Sequence, residues 1–189
     1  MFKDLVYQSR SYRAFDESRP ITEAQMRTLV ELARFLPSGM NKQPLRYRIV
    51  SKPAELAKML ANTRYAGALS IKLPPEGQKP TGFIVIFNDS EVNSPDSLSL
   101  KDCGIAAQTI LLAATEMGFG GCMLGSFEPN RLCQDLNIPA RYIPLLAIAL
   151  GTPAETVVLE DADEIAAPYY RDETNVHHVP KRKLEDILL

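Results

Sequence analysis

Apolar positions are densest between Leu98 and Phe127, in the stretch LSLKDCGIAAQTILLAATEMGFGGCMLGSF. From Asp102 to Phe119 nearly every residue is apolar or small, and the breaks fall at Gln108, Thr109, Thr115 and Glu116. No amphipathic period survives such a composition, which predicts a helix buried on nearly all sides. A membrane span is the rival reading, but Asp102, Gln108 and Glu116 would each be costly in lipid. Gly118 predicts a left-handed stop to the helix. Beyond it, Gly120, Gly121 and Gly125 place three glycines within six residues, allowing close approach of the backbone to another group. Two readings stand: a core helix followed by a buried strand, or a core helix delivering a glycine-lined backbone to a flat ligand.

The rest of the chain alternates between periodic segments and turn signals. Phe2, Leu5 and Val6 predict one or two helical turns. Thr22 to Gln25 has capping-box spacing, and Met26, Leu29, Val30 and Ala33 follow at helical period. Pro37 predicts an end to that helix near Leu36. Arg46 to Val50 alternates like a strand, and Pro53 opens a short helix from Ala54 to Leu60. Thr63 to Gly82, rich in Pro and Gly, predicts an extended loop of the kind that covers or binds. Phe83 to Phe87 is a continuous apolar run, hence a strand covered on both faces. Asn88 to Ser97 is polar and turn-like. A short helix at Pro129 to Leu136 and a buried strand at Ile143 to Leu150 follow, ended by Gly151-Thr152-Pro153. Asp161, Asp163 and Glu164 suggest a solvated turn. Lys181, Arg182 and Lys183 precede an apolar end, Leu184 to Leu189.

With 189 residues, 46% of them hydrophobic and 23% charged, the chain predicts one globular domain. A net charge of −2 gives no electrostatic case for nucleic acid or an anionic membrane. MFKDLVYQSR has no uninterrupted apolar core of a signal peptide. Cys103, Cys122 and Cys133 form no paired spacing, which suits a reducing cytoplasm.

Candidate chemistry is concentrated in two polar clusters. Arg10, Ser11 and Arg13 offer forked cations and a neutral donor suited to phosphate or carboxylate, or else a solvated surface. Pro37 to Pro44 carries Ser38, Asn41 and Gln43, whose amides suit the edge of a heterocycle or the needs of their own turn. Common catalytic signatures such as G-x-S-x-G, H-E-x-x-H and the phosphate-binding glycine loops are missing. His177 and His178 are adjacent, so their side chains diverge on any regular element and a metal site is not expected. Cys122 lies in an apolar strand and reads as a small core residue. With no acid–base dyad in sight, the chemistry falls to a cofactor.

Five segments, in order, carry a resemblance. They are Arg10-Ser11-Tyr12-Arg13-x-Phe15, then Pro37-Ser38-x-x-Asn41-x-Gln43-Pro44, then Asp102-x-Gly104-x-Ala106-x-Gln108 through Gly118-x-Gly120, then Ala149-Leu150-Gly151-x-Pro153, and the basic tail. Together they resemble the nitroreductase family of FMN-dependent oxidoreductases over nearly the whole chain.

The resemblance implies an α+β fold, with helices around a mostly antiparallel central sheet and a C-terminal segment reaching a partner subunit. It implies a homodimer with FMN at the interface. Arg10, Ser11 and Arg13 would hold the FMN phosphate and ribityl chain, with two of Lys181, Arg182 and Lys183. Pro37, Ser38, Asn41 and Gln43 would approach the flavin from the other subunit. Met123, Leu124, Gly125 and Ser126 would pass beside the isoalloxazine, with the Gly125 N–H near N5. The implied reaction is ping-pong hydride transfer from NAD(P)H through flavin to nitroaromatics, quinones or similar acceptors, with no side-chain acid or base. A dehalogenase, a flavin-modifying enzyme and a flavin-binding protein without turnover are the alternatives. The chain is short for the family, so an open site is expected.

Overall fold

The computed structural model describes residues 1–65, 71, 73–162 and 167–189. Part of the Thr63–Gly82 loop, together with Asp163 and Glu164, lies outside these residues.

A five-stranded, wholly antiparallel sheet carries the core. Its strands are β1 (Phe15–Asp16), β2 (Leu45–Val50), β3 (Gly82–Asp89), β4 (Gly120–Leu124) and β5 (Tyr142–Pro153). The order is β1-β5-β3-β2, with β4 also paired to β5. The apolar run in β3 is buried on both faces, as its lack of alternation predicts: Phe83, Ile84, Val85 and Ile86 are 0% exposed and Phe87 2%. Ile84 and Ile86 pack with Ile148 and Leu150 beneath α2 (Glu23–Ala33) and α4 (Ser97–Glu116). Phe83, Val85 and Phe87 pack on the other side with Cys122, Leu124 and Ala149 and with residues of α3 (Pro53–Asn62) and α5 (Pro129–Asp135). Each large side chain so buried contributes about 1.5–3 kcal/mol. The α+β architecture therefore follows from one strand with two dry faces.

Helix α2 opens on the Thr22 capping box, with Gln25 N–H donating to Thr22 Oγ1 at 3.2 Å. It ends at Ala33 rather than near Leu36, because the last turn tightens: the N–H groups of Phe35 and Leu36 donate to the carbonyls of Leu32 and Ala33. Strands β2, β3 and β5 run one to three residues past their expected ends. A short helix α1 (Phe2–Gln8) leads the chain.

The expectation for α4 needs correction. Its buried residues, Ser99, Asp102, Cys103, Ala106, Ala107, Ile110, Leu111 and Ala114, form one stripe at helical spacing. Leu100 and Ile105, on the far side, are 58% and 42% exposed. The composition is uniform because a second apolar face exists, but the described residues of this chain do not cover it. Gly118, at φ +81°, ends the helix as expected, and the Phe119 N–H closes the last turn on the Ala114 carbonyl at 2.8 Å.

A second sheet was not foreseen. It joins β6 (Val157–Asp161), β7 (Tyr170–Arg171) and β8 (His177–Lys181) in the order β6-β8-β7, with β6 and β8 parallel. Asp161 therefore lies at the end of a strand, opposite Lys181, and not in a solvated turn.

Candidate functional site

The segment after α1 is drawn against β4. Ser11 bridges Gly121, and the Tyr12 N–H donates to the Gly121 carbonyl at 3.0 Å. Gly120 serves this packing, and Gly121 serves the close approach of β4 to β5. A Cβ on Gly120 would stand 2.5 Å from the Tyr12 ring, and one on Gly121 would stand 2.4 Å from the Ala149 carbonyl. Gly125 differs: a Cβ there would meet nothing within 4 Å, so its backbone faces open space.

Glu155 fixes the position of Arg13. Its buried carboxylate accepts the N–H groups of Arg13 and Ala14, the latter at 3.0 Å, and pairs with the Arg171 guanidinium. An isolated buried carboxylate would be costly, but here every contact is a donor. The Arg13 guanidinium donates to the Ser11 carbonyl at 3.2 Å and lies 5.0 Å from the centre of the Tyr169 ring. Arg10 Nη2 donates to the Val6 carbonyl at the end of α1 at 2.5 Å.

These groups surround a cleft of about 350 Å³, lined by Ser9, Arg10, Ser11, Arg13, Gln108, Leu111, Met123, Tyr169, His177, Val179 and Lys181. The Nε donors of Arg10 and Arg13 are both buried and lack a partner. Buried donors are rarely left unpaired, and two guanidinium groups beside a lysine suit a phosphate or carboxylate.

The chain thus brings together Arg10, Ser11, Arg13, Met123 and Lys181 among the expected residues. Pro37, Ser38 and Gln43 instead line a separate cavity of about 280 Å³ with Asp102, while Asn41 is exposed. Gly125 and Ser126 line a third recess of about 310 Å³ with Asn62 and Arg64. The Leu124 side chain turns into the core, leaving only its backbone for a ligand. Arg182 and Lys183 are exposed, and Arg182 Nη2 donates to the Asp186 carbonyl at 2.7 Å.

The two histidines do diverge. His177 is buried, and its ring meets the edge of Tyr169 at 5.4 Å. Burial, then the Arg13 and Arg171 cations, push its pKa down to about 4. His178 stacks on Tyr170 and lies 3.1 Å from both Glu160 and Asp172. No cluster of three or more His, Cys, Asp or Glu suits a metal among the described residues. The Cys122 thiol is buried, and that burial raises its pKa, so thiolate is disfavoured. No helix among the described residues is long and apolar enough to cross a membrane.

Glu155, Tyr169 and Arg171 escaped the sequence reading, and His177 entered it only as one of two adjacent histidines set aside as metal ligands. Each sits in the unforeseen second sheet or the segment leading to it, and none belongs to a recognisable spacing. Gln108 did leave a signal, as a polar break in the apolar helix.

The profile of the nitroreductase family matches residues 6–152. The chain belongs to the nitroreductase family. Among relatives, it is 27% identical over 165 residues to an Archaeoglobus fulgidus protein provisionally named an NADH dehydrogenase/NAD(P)H nitroreductase, covering 85% of this chain and 90% of that one. It is 25% identical over 162 residues to an oxygen-insensitive NADPH nitroreductase of Helicobacter pylori, covering 69% and 76%. A provisionally named nitroreductase from Desulfovibrio desulfuricans, solved in complex with FMN, superposes with a TM-score of 0.71 at 24% identity, covering 100% of this chain and 95% of that one. A nitroreductase family protein from Streptococcus pneumoniae gives the same TM-score at 18% identity, covering 100% and 99%. The chain has the nitroreductase fold.

Proposed function

We propose that this nitroreductase family member is an FMN-dependent oxidoreductase that uses NADH or NADPH to reduce nitroaromatic, quinone or similar acceptors. The observation that carries this reading is the convergence of Arg10, Arg13 and Lys181 on one cleft, with two buried guanidinium nitrogens unpaired. That donor set fits the phosphate end of FMN, and the open backbone at Gly125 leaves room for a flat ring. The NADPH nitroreductase of Helicobacter pylori and the FMN-bound Desulfovibrio structure support the same assignment.

When bound, FMN supplies the capacity to accept and release hydride. The chain's own groups bind and orient it. Arg10, Ser11, Arg13 and Lys181 hold the anionic end, while Glu155 keeps the Arg13 backbone in place. Cys122 is buried, and that burial raises its thiol pKa and disfavours a thiolate nucleophile. Donor and acceptor use one open site in turn, a ping-pong scheme.

The functional unit in this reading is a homodimer. The uncovered face of α4 at Leu100 and Ile105, and the exposed tail residues Leu184, Ile187 and Leu188, support it. The cavity holding Ser38 and Gln43 is separate from the cationic cleft, which fits a loop that serves the partner's flavin. Three free cysteines fit a reducing cytoplasm.

The test is anaerobic mixing of purified yellow protein with NADH and NADPH, followed by an acceptor. Bleaching of the flavin absorbance and its return with menadione or a nitroaromatic are expected. A protein that takes up no FMN, or whose bound flavin neither nicotinamide reduces, would overturn the proposal.

A further inference from the structure

We propose that His177 is a ligand of the cofactor phosphate, donating a ring N–H into the cleft lined by Arg10, Ser11, Arg13 and Lys181. This rests on the FMN reading above and adds a residue to it.

The argument begins with register. In β8 the alternate residues His177, Val179 and Lys181 all line the cleft, while His178 contacts Glu160 and Asp172 outside it. His177 and Lys181 thus belong to the same face of one strand. The His177 N–H donates to the Thr156 carbonyl at 3.0 Å, and Val157 is its strand partner, so the backbone carrying the ring is fixed.

The ring itself is not satisfied. His177 is 1% exposed, yet both Nδ1 and Nε2 are buried without a hydrogen-bond partner. A buried imidazole with two unpaired nitrogens is unusual for a residue that serves packing alone. Tyr169 meets the ring edge-on at 77°, and the Arg13 guanidinium lies over that same tyrosine. His177 thus lines the same cleft as Arg10 and Arg13, and all three residues carry buried nitrogens without a partner.

Charge fits the role. Burial first, and then the nearby Arg13 and Arg171 cations, keep the ring neutral at physiological pH. A neutral imidazole offers one donor and one acceptor, and adds no further positive charge to a cleft already holding three cations. The cations supply attraction for the dianion, and His177 supplies direction.

The experiment exploits the fact that the chain has only two histidines. Protein labelled with ¹⁵N and stripped of flavin is titrated with FMN and with riboflavin, which lacks the phosphate, while the imidazole nitrogens are followed by NMR. We expect the His177 signals to move with FMN, the His178 signals to stay, and riboflavin to leave both in place. In parallel, His177→Phe should lower FMN affinity by about tenfold while leaving riboflavin affinity unchanged, and His177→Gln should restore part of the loss.

If FMN binds and the His177 signals do not move, the inference fails while the FMN reading stands. Equal loss of both flavins in His177→Phe would mark a packing role and overturn it as well. Protein that binds neither flavin would overturn both. Should His177→Phe fail to fold, the wild-type titration decides alone.

Discussion

Asp102 in α4 accepts the hydroxyl hydrogen of Ser38 at 2.5 Å and so ties the Pro37–Pro44 loop to the core helix. The same carboxylate accepts the Gly39 N–H at 3.1 Å, and Ser38 Oγ in turn accepts the Gln43 N–H at 3.0 Å. The anchored loop is strained: Met40, Asn41 and Gln43 have φ of 53°, 54° and 52°. A left-handed non-glycine residue costs roughly 1–2 kcal/mol, so three of them need an external hold. Asp102 supplies it. Asp102→Ala should lower stability by about 1.5–3 kcal/mol and expose the loop to proteolysis. Urea denaturation with limited proteolysis checks this, and an unchanged midpoint with an uncut loop would contradict it.

Arg10 and Arg13 should govern cofactor affinity. Each offers a charge-assisted hydrogen bond of about 1.5–3 kcal/mol to an anion, so the double Ala variant should bind FMN at least a hundredfold more weakly. The fold should persist, because Glu155 is held through the Arg13 backbone N–H and by Arg171. Equilibrium dialysis reads the affinity. Unchanged binding would move the phosphate site elsewhere.

The second sheet should weaken as pH rises through the titration of His178. Hydrogen bonds to Asp172 and Glu160 hold its pKa above the ordinary 6.5. A group whose pKa rises on folding stabilises the fold below its unfolded value and loses that contribution as pH climbs through the folded one. Asp172 acts oppositely: its pKa, lowered to about 2, gives stability above the ordinary 3.8 that is lost on acidification. The wild-type urea midpoint should therefore fall, relative to His178→Phe, as pH rises above the ordinary 6.5 and through the raised folded-state value. Parallel curves for the two proteins would show that the His178 bridge contributes nothing.

Much of this architecture could be read from hydrophobic pattern alone. The run Phe83 to Phe87 announced a strand with two dry faces, and the Thr22 box announced α2, because both signals are local. The second sheet left no such trace. Its strand β8, His-His-Val-Pro-Lys, has a proline and little apolar alternation, and β7 is two residues long. Those strands are stabilised by partners distant in sequence, such as Glu155 for Arg171 and Glu160 for His178. The site was legible where short spacing carried it, as in Arg10-Ser11-Tyr12-Arg13. It was invisible where topology brought Tyr169 and His177 to the same cleft.

Cys122 should prove dispensable for turnover. It is buried in β4 and paired by register with Ala149. Cys122→Ala should cost about 1 kcal/mol of stability and leave NADPH oxidation per bound flavin unchanged. A variant with full flavin content and slow turnover would reveal a thiol role.

The last prediction concerns the apolar tail. Removing residues from Val176 onward would delete β8 and dismantle the second sheet, so the informative cut spares that strand and removes only Leu184–Leu189. In this segment Leu184, Ile187 and Leu188 are 60%, 59% and 65% exposed, and each would gain up to about 1.5–3 kcal/mol if covered. The described residues of its own chain do not cover them, and the cations Lys181, Arg182 and Lys183 lead directly into the segment. A partner subunit that seats the tail would bury these side chains and carry Arg182 and Lys183 toward its own cleft, with Lys181 staying in the cleft of its own chain. The shortened protein should therefore lose dimer stability and flavin occupancy together, read by sedimentation and by flavin absorbance on the same sample. A truncated protein that stays dimeric and fully yellow would show that the tail serves neither.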